Sequence, residues 1–117
     1  MPTYVDSFLI PVPKKNLAAY KKMAKMGKKI WMELGALSYI ETVCDEAKPA
    51  FGIPFAKLLK LKPSEAAVIA FVTYKSKADR NRINKLVMKD PRMKMPKLMP
   101  FHMKRMVFGG SKALVEG

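Results

Sequence analysis

Cysteine and histidine are almost absent from this sequence, which has one of each, Cys44 and His102. A single cysteine excludes an internal disulfide, and there is neither a CxxC motif nor a cysteine–histidine cluster to hold zinc. A glycine-rich phosphate loop and a nucleotide fingerprint are also missing. We therefore expect a protein of a reducing compartment with no metal site and no cofactor.

Long apolar runs are missing too. None approaches the roughly 20 residues that a membrane-spanning helix needs, and the first residues do not form a basic segment followed by an apolar one. We expect a cytoplasmic protein without a membrane span. Its 117 residues, 50% of them hydrophobic, suffice for one domain with a real core, which we place at residues 1–117.

Acidic residues are scarce: nine face 23 lysines and arginines, giving a formal charge of +14. Arginine, the side chain suited to bidentate recognition of phosphates and guanine edges, occurs only four times. Lysine enrichment serves a solvated surface as well as a nucleic-acid site. We expect weak, nonspecific, salt-sensitive binding to nucleic acid and other polyanions.

Four segments have the apolar and aromatic patterns of strands. They are residues 4–12, 36–44, 66–74 and 104–108, the last ending where Gly109 and Gly110 let the chain turn away. Two helices are predicted between them. The first covers residues 14–34 and ends at Gly35; the second starts at a Ser76–Asp79 cap and runs to about residue 90.

The first helix is amphipathic. Its lysines fall within one arc of the helical wheel, and its apolar residues occupy the other side. This lysine face is either an ordinary solvated surface, which we favour, or a polyanion-binding face. It comprises Lys14, Lys15, Lys21, Lys22, Lys25, Lys28 and Lys29.

The element order is β-α-β, a long excursion at residues 45–65, then β-α-β. This order predicts an α+β, ferredoxin-like split βαβ fold with a four-stranded antiparallel sheet. A short strand or helical turn is expected at residues 55–61. Two helices cover only one sheet face, and we assign large apolar groups to the second face: Tyr4, Phe8, Tyr39, Val43, Val72, Tyr74, Met106 and Phe108. A homodimer packed sheet against sheet, a dimeric α/β barrel with an internal cleft, would cover them.

The candidate ligand site lies on these strands and the segment before the last one. It comprises Tyr4, Asp6, Tyr39, Glu41, His102 and Arg105. Asp6 and Glu41 are predicted to converge with Arg105 or Lys104, either as a structural ion-pair network or as a base beside an oxyanion-stabilising cation. His102 is more typical of a surface residue than of a proton carrier. An adaptable apolar lining, interpreted as core, is predicted around Met93, Met95, Met99, Met103 and Met106.

Several motifs resemble the YbaA-like family of small bacterial proteins over nearly the whole chain. They are Tyr4-Val5-Asp6 with Phe8, Gly35-Ala36-Leu37 with Glu41, Phe55 with Lys60, Asp90-Pro91-Arg92-Met93, Met99-Pro100-Phe101, Lys104-Arg105-Met106 and Gly109-Gly110. The resemblance implies a dimeric α/β-barrel fold and supplies no activity or catalytic residues. The chain departs from the family's pattern at Ser7, Phe71, Thr73, His102, Met103 and Ser111.

The function predicted from the sequence is binding of a small organic molecule in a cleft on the sheet face. The alternative is a polyanion- or nucleic-acid-binding protein that uses the lysine face. A cofactor-independent enzyme is a weaker alternative that rests on analogy of fold. No residue is assigned a catalytic role.

Overall fold

The computed structural model describes residues 2–93 and 99–117. Within these residues four strands and three α-helices alternate, with short 3₁₀ turns at Lys14–Asn16 and Met103–Arg105. In chain order the elements are β1 (Tyr4–Pro13), α1 (Leu17–Leu34), β2 (Ser38–Val43), α2 (Phe55–Leu58), β3 (Glu65–Tyr74), α3 (Lys77–Lys89) and β4 (Val107–Lys112). The excursion therefore contains the helical turn, not the strand, of the two predicted alternatives.

The strands form one antiparallel sheet in the order β2-β3-β1-β4. β3 lies between β1 and β2, which are joined through α1, so the βαβ unit is split. The predicted ferredoxin-like α+β fold is confirmed. Within the described residues, no helix is both long enough and apolar enough to cross a membrane.

Both predicted helix signals are confirmed. Gly35 closes α1 in a left-handed conformation at φ 118°, where the amides of Gly35 and Ala36 donate to carbonyls of the last turn. The Ser76 hydroxyl caps α3 by accepting the Asp79 amide at 3.1 Å. Gly35 therefore sets the end of α1, and Ser76 sets the start of α3.

The residues assigned to a second, helix-free face lie on the same sheet face as the helices instead, and this part of the prediction was wrong. Tyr4, Val72 and Tyr74 pack with Ile83 and other helix residues in one buried cluster. A second cluster packs β1 and β3 against the first half of α1. Strand alternation identifies a two-sided pattern but does not say which side the helices take.

The opposite sheet face carries the other set of side chains. The excursion covers one end of it, where Leu59 packs on Ala67 and Ile69. The other end stays open, with Ile40 and Phe71 54% and 40% exposed. This open face consists of Val5, Ser7, Ser38, Ile40, Phe71, Thr73 and Val107, and none of them is charged.

The fourth strand begins later than predicted. Lys104 and Arg105 belong to a 3₁₀ turn, and the glycine pair lies inside β4 instead of ending it. Gly110 pairs with Asp6 on β1. A Cβ there would lie 2.7 Å from the Tyr4 hydroxyl and 2.9 Å from an Arg80 nitrogen. Close approach of these two side chains, not a turn, explains the glycine.

Candidate functional site

A cavity of about 590 Å³ lies between α1, the helix-covered face of the sheet and the segment before β4. We call it the α1 cavity. Its lining is mainly aliphatic, aromatic and methionine side chains, with few polar groups. Because it is bounded by α1, the α1 cavity lies on the sheet face opposite the open face.

Glu41 is the carboxylate that lines the α1 cavity. It accepts hydrogen bonds from the Tyr20 hydroxyl on α1 and the Tyr39 hydroxyl two residues earlier on β2. Burial, together with the adjacent Glu41 charge and hydrogen bond, raises the pKa of both tyrosines well above the ordinary range. Both hydroxyls thus stay protonated at neutral pH and act as donors to Glu41.

Small residues make room for this arrangement. Ala70 on β3 is paired with both Glu41 and Phe8, so a methyl group lies between them on the cavity floor. On α1, a Cβ at Gly27 would lie 3.1 Å from the Tyr39 hydroxyl oxygen. The glycine lets Tyr39 reach Glu41 beneath the helix.

Each aromatic hydrogen-bond donor is itself packed against a second ring. Phe101 meets Tyr20 edge to face at 5.7 Å between centroids, and Trp31 lies against Tyr39 at 6.0 Å. Two aromatic pairs therefore flank the Glu41 carboxylate. Among the described residues, no lysine, arginine or histidine nitrogen lies within 4.0 Å of it.

Asp6 does not join Glu41, and its predicted partner was wrong. The fully buried Asp6 carboxylate pairs with Arg80 of α3 at 2.9 Å and accepts the Tyr74 hydroxyl at 3.0 Å. The Arg80 guanidinium also lies over the Tyr4 ring, 5.2 Å from its centroid. Tyr4 and Asp6 thus belong to a structural cluster under α3.

Arg105 and His102 form a third cluster around Glu65, the first residue of β3. Arg105 binds the nearly buried Glu65 carboxylate at 2.6 Å and also donates to the carbonyls of Leu59 and Lys60. His102 Nε2 lies 3.2 Å from Glu65. Arg105 therefore ties the excursion to the segment before β4, and the six predicted site residues occupy three separate places.

The sequence pattern missed Tyr20, Glu65 and Arg80. A signal for Arg80 was present, because it continues the buried Ile83 and Val87 stripe of α3 at helical spacing. A cation on a buried stripe requires a buried anion. Tyr20 lies on the predicted apolar side of α1, and its hydroxyl similarly needed a partner.

The methionine lining is partly found where it was predicted. Met93, Met99 and Met106 line the α1 cavity, whereas Met103 is 48% exposed. Met95 lies outside the described residues. The lining therefore belongs to a cavity wall as well as to the core.

The lysine face of α1 is exposed, as predicted, with Lys14 and Lys15 on the preceding 3₁₀ turn. Lys21, Lys25 and Lys28 line a groove between α1 and β2 that shares Glu41 with the α1 cavity. Ion pairs within the described part of the chain are formed by arginines, not by these lysines.

The fold is similar to the crystal structure of a dimeric ferredoxin-like protein from an uncultured marine organism. The two share 13% of residues with a TM-score of 0.65, and the match covers all of both chains. At this level of identity the likeness establishes the ferredoxin-like class.

Sequence comparison then gives the family. A family described as a protein of unknown function, DUF1428, matches residues 3–103. The uncharacterized protein YbaA of Escherichia coli K12 is 33% identical over 114 residues, which is 97% of each chain, and YbaA of Shigella flexneri matches equally. The chain belongs to this family, as its motifs suggested.

Proposed function

We propose that the protein binds a small, largely apolar organic molecule in the α1 cavity. One observation carries the proposal: an apolar space of about 590 Å³ contains one carboxylate held by two tyrosines. Ligand sites typically have volumes of roughly 300–1,000 Å³ and few polar groups in an apolar lining. The proposal moves the predicted cleft to the helix-covered face.

Filling the cavity tests this function. Ala70→Leu adds bulk at the floor, whereas Ala78→Leu adds the same atoms on the exposed surface of α3. The probe is N-phenyl-1-naphthylamine, an uncharged dye that fluoresces in apolar surroundings. We expect one saturable site per chain in the wild type and Ala78→Leu, and at least tenfold weaker binding in Ala70→Leu. Equal binding by all three folded proteins would refute the proposal.

Self-association is a second part of the proposal. We propose a homodimer through the open face, because exposed Ile40, Phe71 and Val107 form an apolar surface without charge. A chain of charge +14 repels its copies, and an uncharged patch is where two can approach. The dimeric state of the ferredoxin-like protein of similar fold supports this arrangement.

The lysine face remains the basis of an alternative function, polyanion binding. The specific observation favouring it is that these lysines are exposed and take no part in the ion pairs of the described residues. Replacing Lys21, Lys25 and Lys28 with glutamine should then weaken binding to unrelated DNA and RNA and reduce its salt dependence. Matched replacement of Lys57, Lys62 and Lys75 is the control. Equal losses from both triple variants would indicate general charge only.

A further inference from the structure

We propose that the ligand of the α1 cavity is an organic cation, an apolar or aromatic body bearing a protonated amine that binds Glu41. The inference rests on the proposed function and names the chemical class of its ligand. It comes from the charge and the aromatic groups inside the cavity.

The first argument is the unbalanced charge of Glu41. Among the described residues, the two buried carboxylates each have a cation, since Arg80 binds Asp6 and Arg105 binds Glu65, whereas the half-buried Glu41 has none within 4.0 Å. Glu41 has two neutral tyrosine donors instead. A carboxylate offers about four acceptor sites, so two remain for a ligand ammonium group.

The second argument is the aromatic surroundings. The Tyr20–Phe101 and Tyr39–Trp31 pairs place four rings in the cavity lining, and the two tyrosines of these pairs bind the Glu41 carboxylate. Aromatic faces attract cations and exclude the water that would otherwise hydrate them. A carboxylate ligand would instead meet the Glu41 charge in an apolar space, where repulsion is strong.

The basic residues near the cavity do not reverse this preference. Arg92 contributes to the lining, but its guanidinium binds Asp90 and Glu33 at 2.8 and 2.7 Å. Lys22 also contributes to the lining and is an exposed residue of α1, so its ammonium group reaches water. Lys21, Lys25 and Lys28 line the neighbouring groove that shares Glu41, but among the described residues no lysine nitrogen lies within 4.0 Å of its carboxylate. These lysines are exposed, so salt screens their charges over about 8 Å under physiological conditions.

Three probes of nearly equal size test the inference by calorimetry: 1-naphthylmethylammonium, 1-naphthalenemethanol and 1-naphthoate. The wild type should bind the ammonium probe at least tenfold more tightly than the alcohol, and the naphthoate most weakly. A tenfold preference corresponds to about 1.4 kcal/mol. Glu41→Gln should remove this preference and leave alcohol binding within about twofold, because the alcohol carries no charge. Glu46→Gln makes the same change at an exposed residue outside the cavity lining, and this matched control should keep the preference.

Tyr39→Phe gives a result of opposite sign. It removes one donor from Glu41, leaves the charge and frees an acceptor, so it should strengthen ammonium binding relative to the alcohol. This variant and the three wild-type affinities decide the matter if Glu41→Gln does not fold.

The outcomes separate the two proposals. Equal wild-type affinities for the three probes, or tightest binding of naphthoate, would overturn the cation assignment and leave the cavity as a ligand site. Failure of every probe, together with a dye signal insensitive to Ala70→Leu, would overturn both.

Discussion

Arg80 of α3 and Asp6 of β1 form a bidentate contact across 74 residues of sequence, with the Asp6 side chain 1% exposed. The hydrogen bond to Asp6 raises the pKa of Arg80, so the guanidinium stays charged. This contact fixes the first turn of α3 over the centre of the sheet.

Removing one member of this pair should lower the free energy of unfolding markedly. Arg80→Met leaves the buried Asp6 carboxylate with only the Tyr74 hydroxyl as a donor. We expect unfolding by urea to show that the free energy of unfolding falls by about 3 kcal/mol. The double variant Asp6→Leu with Arg80→Met should lose less than the sum of the single changes. Arg82→Met removes an exposed pair with Asp79 and should cost less than about 1 kcal/mol. Similar losses for Arg80→Met and Arg82→Met would contradict this account.

The glycine pair of β4 offers a matched comparison. Gly110→Ala places a methyl group against Tyr4 and Arg80, whereas nothing lies within 4 Å of a Cβ at Gly109. We expect Gly110→Ala to destabilise by about 1–3 kcal/mol and Gly109→Ala to stay within about 0.5 kcal/mol. Thermal melting of both variants checks this. Equal melting temperatures would show that the strand shifts to accept the methyl.

Pattern alone predicted the order of elements because periodicity and capping are local properties. Residues 4–12 and 66–74 have the alternation of strands, and Ser76 caps α3 through an amide three residues away. Alternation also groups Asp6 with Tyr4 on the first strand and Glu41 with Tyr39 on the second, and the strand register places both groups on one sheet face.

The partners of those carboxylates depend on how the helices cross the sheet. Asp6 lies opposite Val72 and Glu41 opposite Ala70, with β3 between them, so a common face does not bring them into contact. Arg80 reaches Asp6 because α3 crosses above β1, and Arg105 is held away by Glu65. The helical spacing of Arg80 with Ile83 and Val87 can indicate that it is buried, but it does not indicate which carboxylate it binds.

The proposed dimer predicts a specific sensitivity of the open face. Phe71→Lys places a charge in each copy at the two-fold contact, and light scattering should change from twice 13.2 kDa to the monomer mass at micromolar concentration. Leu86→Lys is the control, since Leu86 is equally exposed, at 40%, but lies on α3 at the other sheet face. A wild-type monomer, or dissociation by both variants, would argue against this interface.

The Glu65–Arg105 contact should make stability depend on pH in the acid range. Hydrogen bonds from Arg105 and from the Lys62 amide lower the pKa of Glu65 from 4.5 to about 2. A carboxyl whose pKa is lower in the folded state stabilises the fold at pH values above its pKa in the unfolded chain. This contribution is therefore complete above pH 4.5 and is lost as the pH falls toward 2.

Glu65→Gln should be less stable than the wild type at neutral pH, and the difference in unfolding free energy should shrink as the pH falls from 4.5 toward 2. Asp90, whose pKa Arg92 also lowers to about 2, contributes in the same range, so Asp90→Asn serves as the comparison variant. If the Glu65→Gln and wild-type curves run parallel in acid, Arg105 does not hold Glu65 ionised.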